Sequence, residues 1–175
     1  MLLALLAVAA PLRAQTPPGP WFAGVRGGLI VTDQNLRNDG TVWQAHIGRN
    51  FGDNHALELE FTADELDFGI DYGLKHRAIG INYLNFNRVP LWDPYFLVGI
   101  GVIEFDAPPG VAERTGTSAV VNIAIGGMWE LVIPQRVMLR ADFRARYEID
   151  DNEQPGQNGW GDGVFTIGIV IPFGS

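Results

Sequence analysis

Cysteine is absent, so a disulfide framework and thiolate chemistry are both excluded. After the first fourteen residues no run of about eighteen apolar residues occurs, which argues against a helical membrane span there. Cations are scarce: Lys+Arg total 12 against 20 Asp+Glu, a formal net charge of −8. Binding to a phosphate backbone needs clustered cations, so nucleic acid is not an expected partner. Serine occurs only as Ser118 and Ser175, and the three histidines, His46, His55 and His76, fall in separate segments. That leaves little material for a nucleophile–base pair.

What the chain has instead is apolar residues and glycine. Hydrophobic residues make up 47% and charged residues only 18%, with 22 glycines scattered inside the apolar segments. A length of 175 residues suits one domain. The opening MLLALLAVAAPLRA is an apolar stretch with Pro11 shortly before the small Ala14, followed by QTPPGP. It has the form of the hydrophobic region and cleavage zone of a secretory signal. The expected organisation is a signal peptide over 1–14, a Pro-rich lead-in over 15–20 and one domain over 21–175.

From Trp21 onward the pattern is one of strands. Eight segments stand out, at about 21–32, 41–51, 55–63, 76–87, 94–106, 117–130, 137–149 and 163–174. Each exceeds the ~5–6 residues of a typical soluble strand and approaches the ~9–11 that cross a bilayer at a tilt. The intervening DQNLRNDG, GDN, ADELDFGIDYG, RVPLWD, APPGVAERTG, IPQR and DDNEQPGQNGWGDG are rich in Gly, Pro, Asn and Asp. No segment shows sustained helical periodicity. The fold class is all-β.

Side chains alternate between the two faces of a strand. In VMLRADFRARYEI, the residues Val137, Leu139, Ala141, Phe143, Ala145, Tyr147 and Ile149 share one face, and Met138, Arg140, Asp142, Arg144, Arg146 and Glu148 the other. In ALELEFTA, Leu57, Leu59 and Phe61 oppose Glu58, Glu60 and Thr62. Two architectures fit: an eight-stranded antiparallel up-and-down transmembrane barrel, apolar outside, or a lipocalin-like barrel, apolar inside. Residue size separates them. Gly24, Gly28, Gly48, Gly80, Gly99, Gly101, Gly126 and Gly168 fall on the polar face while the apolar face is bulky, as the narrow interior of an eight-stranded barrel requires.

Aromatic residues cluster at strand ends. One rim is expected to carry Trp21, Phe51, Tyr83, Trp92, Tyr95, Trp129 and Phe173, the other Trp43, Phe61, Phe68, Phe105, Tyr147 and Phe165. Two such belts are what interfacial anchoring produces. The connections after strands one, three, five and seven read as long and acidic, with Asp33, Asp39, Asp64, Glu65, Asp67, Asp71, Glu113, Asp150, Asp151, Glu153 and Asp162, and are expected to face the medium.

The segments HALELEFTADELDF, PYFLVGIGV, LRADFRARYE and TIGIVIPFG resemble the eight-stranded outer-membrane β-barrel domain of the OmpA-like superfamily. The resemblance covers nearly all of 21–174. It implies a Gram-negative outer-membrane location, contact with outer-membrane lipid and lipopolysaccharide, and a terminal signal read by the barrel-assembly machinery. Thr166, Gly168, Ile171 and Phe173 match the spacing of that signal, although Gly174 and Ser175 follow the aromatic. Peptidoglycan binding is not implied, because the segment that carries it in OmpA has no counterpart here. A monomer is expected; a ligand for the loops is not specified.

The polar face bears four cations, Arg26, Arg140, Arg144 and Arg146, and four anions, Glu58, Glu60, Asp142 and Glu148. Buried charges must pair. The expectation is therefore a charge-paired plug, with a small ion-conducting channel as the alternative. Related barrels that modify lipid A use Ser, His and an acid; here a Ser118–His76 pair is separated by a strand, and the chain is not expected to be an enzyme. DDNEQPGQNGWGDG misses the ligand spacing of a calcium loop. Neither a metal nor another cofactor is expected.

Overall fold

The computed structural model describes residues 19–32, 39–67, 73–89, 92–106, 116–131, 137–149 and 160–174. Eight strands follow one another along the chain: β1 (Trp21–Thr32), β2 (Asp39–Asn50), β3 (His55–Asp67), β4 (Gly73–Phe86), β5 (Asp93–Asp106), β6 (Gly116–Glu130), β7 (Met138–Ile149) and β8 (Trp160–Phe173). Each pairs antiparallel with the next, and β8 pairs with β1, so the sheet closes into an eight-stranded barrel. Following the pairing once round from Trp21, through Arg49, Leu57, Tyr83, Val98, Ile123, Ala145 and Gly163, returns to Val31, ten residues further along β1. That stagger tilts the strands by about 40° to the barrel axis.

Several strands are longer than the sequence suggests. β3 continues to Asp67 and β4 begins at Gly73, so the expected loop ADELDFGIDYG contracts to positions 68–72. β2 starts at Asp39 and β8 at Trp160. The cause is visible in the alternation: Ala63 and Glu65 extend the outer row of β3, and Asp64 extends its buried row. Turn-forming composition loses to cross-strand pairing, with Glu65 opposite Thr41 and Lys75. Consequently Asp64 and Asp162 are strand residues that point inward, not parts of medium-facing loops.

The barrel has two ends. At the termini end, Trp21 pairs with Phe173. There the β2–β3 turn places Gly52 at φ +71°, a left-handed conformation that glycine adopts without steric cost, and Phe51 N–H donates to His55 O at 2.9 Å. At the loop end lie the connections at 33–38, 68–72, 107–115 and 150–159, outside the described residues together with the expected signal peptide 1–14 and with Asp33, Asp71, Glu113, Asp150, Asp151 and Glu153.

Sidedness is unambiguous. Val25, Leu29, Ile47, Leu59, Ile79, Ile100, Ile123, Phe143, Ile167 and Ile169 lie exposed on the outside. Arg26, Glu58, Glu60, Arg140, Asp142, Arg144, Arg146 and Glu148 are buried inside. This is the reverse of a lipocalin-like barrel. The inward glycines make the arrangement possible: a Cβ on Gly168 would meet Cγ of Arg26 at 2.7 Å, and one on Gly126 would meet the Tyr95 ring at 2.5 Å.

Candidate functional site

The barrel interior is stacked in levels. Nearest the termini end, Phe22, Ala56, Leu84, Phe86, Leu97, Met128 and Val170 form an apolar cluster with the ring of Tyr95. These side chains come from β1, β3, β4, β5, β6 and β8, so the cluster spans the lumen.

Above it sits the first charged level, three guanidiniums against three carboxylates. Arg26 on β1 donates to both Glu60 and Asp142. Arg140 on β7 donates to Glu58. Arg144 grips Glu60 with a two-pronged fork, Nη1 to Oε1 at 2.5 Å and Nη2 to Oε2 at 2.9 Å, the geometry that gives Arg–carboxylate pairs their strength. β1, β3 and β7 are thereby tied together across the barrel. Neutral groups complete the level: Asn82 Nδ2 donates to Glu58 at 3.1 Å and Glu60 at 3.2 Å, and Thr166 Oγ1 donates to Asp142 at 3.0 Å.

Tyr95 belongs to this network and not to an aromatic belt. It is 4% exposed, its hydroxyl donates to Asp142 at 2.7 Å, and it accepts from Arg140 Nε at 2.8 Å. Its parity on β5 is that of the inward Leu97 and Gly99; position at a strand end had suggested the belt. The Arg140 guanidinium also lies 4.9 Å from the ring centroid, within cation–π range. Tyr95→Phe removes one hydrogen bond from each of two buried charged groups, the Asp142 carboxylate and Arg140 Nε. It should cost about 1.5–3 kcal/mol of stability, read from denaturant unfolding in detergent, with barrel closure retained.

A second charged level lies toward the loop end. Arg146 donates to Asp64 at 2.6 Å and to Asp162 at 2.7 and 3.0 Å, and its Nη2 stands 3.6 Å from Glu148. His76 Nδ1 is 2.8 Å from Asp64. Asp64 and Asp162, read as loop acids from sequence, are thus the principal partners of Arg146. Ser118 and His76 are both buried inward near this level, on β6 and β4 with β5 between them.

The eight lumen charges expected from sequence are therefore brought together, in two groups. Of the belt residues, Trp21, Phe51, Trp92 and Phe173 are exposed at the termini end; Tyr83 and Trp129 are half-buried there, Trp129 stacked on Trp92 at 5.3 Å and 9° between planes. Tyr83 Oη meets His55 Nδ1 at 2.7 Å. Toward the loop end, Trp43, Phe61, Tyr147 and Phe165 are exposed. Phe68 and the side chain of Phe105 lie outside the described residues. Of the terminal-signal positions, Thr166 is fully buried, Gly168 abuts Arg26, and Ile171 and Phe173 are exposed.

No protein-family profile matches the chain, and no curated protein does. Solved structures do. Neisserial surface protein A (NspA) superposes with a TM-score of 0.72 at 14% identity, over 89% of this chain and 98% of that one. The outer membrane enzyme PagL gives 0.57 at 13% identity, over 86% and 100%. Ail, the attachment invasion locus protein of Yersinia pestis, gives 0.51 at 13% identity, over 87% and 96%. The fold is that of the eight-stranded outer-membrane barrels. At these identities the likeness concerns the fold; side-chain chemistry has to be argued from this chain's own residues.

Proposed function

We propose that the chain is a monomeric outer-membrane barrel of structural or surface role in a Gram-negative bacterium, its lumen plugged and its acidic connections turned to the medium. The observation that carries this reading is the pairing of an apolar outer wall with a filled interior. Isoleucines, leucines and phenylalanines cover the outside, an arrangement stable against hydrocarbon and costly in water. Inside, two charged levels rest on an apolar cluster that spans the lumen, so an ion would meet both a paired-charge barrier and a dry one.

The similarity to NspA, named a surface protein, and to Ail, named for attachment, supports a surface role. The resemblance to the OmpA-like superfamily points the same way. PagL is an enzyme; here the only described serine, Ser118, lies inside the lumen, and the reading is non-enzymatic. Lipid and lipopolysaccharide are the proposed surroundings. The barrel-assembly machinery is the proposed reader of Thr166, Gly168, Ile171 and Phe173.

Expression in a Gram-negative host tests the reading. The protein should fractionate with the outer membrane and need detergent for extraction, and Phe173→Ala should lower that yield without lowering synthesis. In planar bilayers the wild type should be non-conducting. Recovery in the soluble periplasm, or a steady single-channel current, would overturn it.

A further inference from the structure

Between the two charged levels the interior is not filled by side chains. A cavity of about 20 Å³ lies there, lined in part by Gln44, Glu60, Thr62, Asn122, Arg144 and Arg146. It exists because small residues stand at this height: Ala78 and Gly80 supply part of its wall. Three of its polar atoms, Gln44 Oε1, Asn122 Oδ1 and Arg144 Nε, are buried and take no hydrogen-bond partner among the described residues. Their side chains are at least nine-tenths buried, with whole-residue exposures of 4%, 8% and 2%. They come from β2, β6 and β7 and so enclose the cavity from different sides. Buried polar groups left unpaired each carry a desolvation penalty, and three around one cavity signal a guest.

The chemistry of the donor set selects the guest. Arg144 Nε–H is a fixed donor, and with Arg146 beside it repels a cation. Glu60 on the wall, and Asp64 and Asp162 holding Arg146 above, repel an anion. A neutral molecule that both donates and accepts satisfies all three atoms: it accepts from Arg144 and donates to Gln44 and Asn122. The volume has room for about one or two water molecules. We propose that this chamber is a solvent-binding site, holding ordered water that bridges Arg144, Gln44 and Asn122 between the two ion-pair levels. The way from this chamber to the termini end is blocked by the apolar cluster with Phe22, Leu84 and Phe86. Hydration of the lumen therefore stops at a pocket and gives no continuous path. This site is independent of where the protein resides in the cell.

Water-to-amide cross-relaxation, measured by NMR on the wild-type barrel in micelles, tests it directly. Long-lived water should give cross-peaks to the Gln44 and Asn122 side-chain amides and to the Arg144 Nε proton. Asn122→Leu, which is nearly isosteric, supplies a second readout of opposite sign for a wet and a dry cavity. A wet site predicts that leucine evicts the water, strands Gln44 and Arg144, and lowers the midpoint of heat-modifiable gel migration by several degrees. A dry cavity predicts that leucine fills space and raises the midpoint. Absent cross-peaks together with a raised midpoint would overturn the proposal. So would an anomalous bromide signal at Arg144 in halide-soaked crystals, because it would assign the chamber to an anion.

Discussion

Glu60→Gln alone should destabilise the folded barrel by about 3–5 kcal/mol, the usual cost of removing one partner from a buried ion pair. The mutation removes the charge and one of the two acceptor oxygens from the fork on Arg144, whose hydrogen bonds among the described residues go to Glu60, while Arg26 keeps Asp142. The guanidinium of Arg144 is then left charged and buried with no carboxylate on it. Removing it as well should recover much of the loss: Glu60→Gln with Arg144→Met should cost clearly less than the two single changes together. Unfolding by guanidinium in detergent, followed by heat-modifiable migration, measures all three. Strictly additive costs would show that the two side chains do not support each other. Bilayer recordings on the same proteins should stay silent, because the apolar cluster beneath Glu58 is untouched by either substitution.

A charge on the outside should be nearly as costly, for the opposite reason. Phe143 and Ile123 are about half exposed on the outer wall, near mid-strand in β7 and β6. In a bilayer, Arg at mid-depth costs about 2–4 kcal/mol; on a surface bathed in water it is usually within about 0.5 kcal/mol of neutral. Phe143→Arg and Ile123→Arg should each lower stability in lipid by the larger amount, while Arg at the exposed Thr41, at the loop end of β2, should be tolerated. Equal tolerance at all three positions would mean that the wall does not meet hydrocarbon.

Much of this was legible in the residues because a period of two is a strong signal. VMLRADFRARYEI and ALELEFTA each assign every second side chain to one face, and the small size of Gly99, Gly101 and Gly126 says which face is narrow. The failures have physical reasons. Asp64 and Asp162 sit in Gly- and Asp-rich surroundings, and composition pulled them into loops; the competing signal was parity, since Asp64 shares a face with Glu58, Glu60 and Thr62. Tyr95 was drawn to a belt by its place at a strand end, although parity aligned it with Leu97 and Gly99. Division of the charges into two levels was beyond reach, because the height of a side chain depends on the stagger between strands, and the ten-residue offset appears only once all eight pairings are known.

The pairing of Trp21 with Phe173 joins positions 152 residues apart in the chain. One backbone edge of β1 depends on it: the other edge has β2 as its neighbour, but this one has nothing until β8 arrives. An unpaired row of N–H and C=O groups has no water to turn to in hydrocarbon, so a nascent chain of seven strands has no resting place in a bilayer. Closing so long a loop is entropically unfavourable and slow. In hydrocarbon the sheet can therefore close only once β8 is in place, and a copy shortened by that strand is not a weaker barrel but an open sheet.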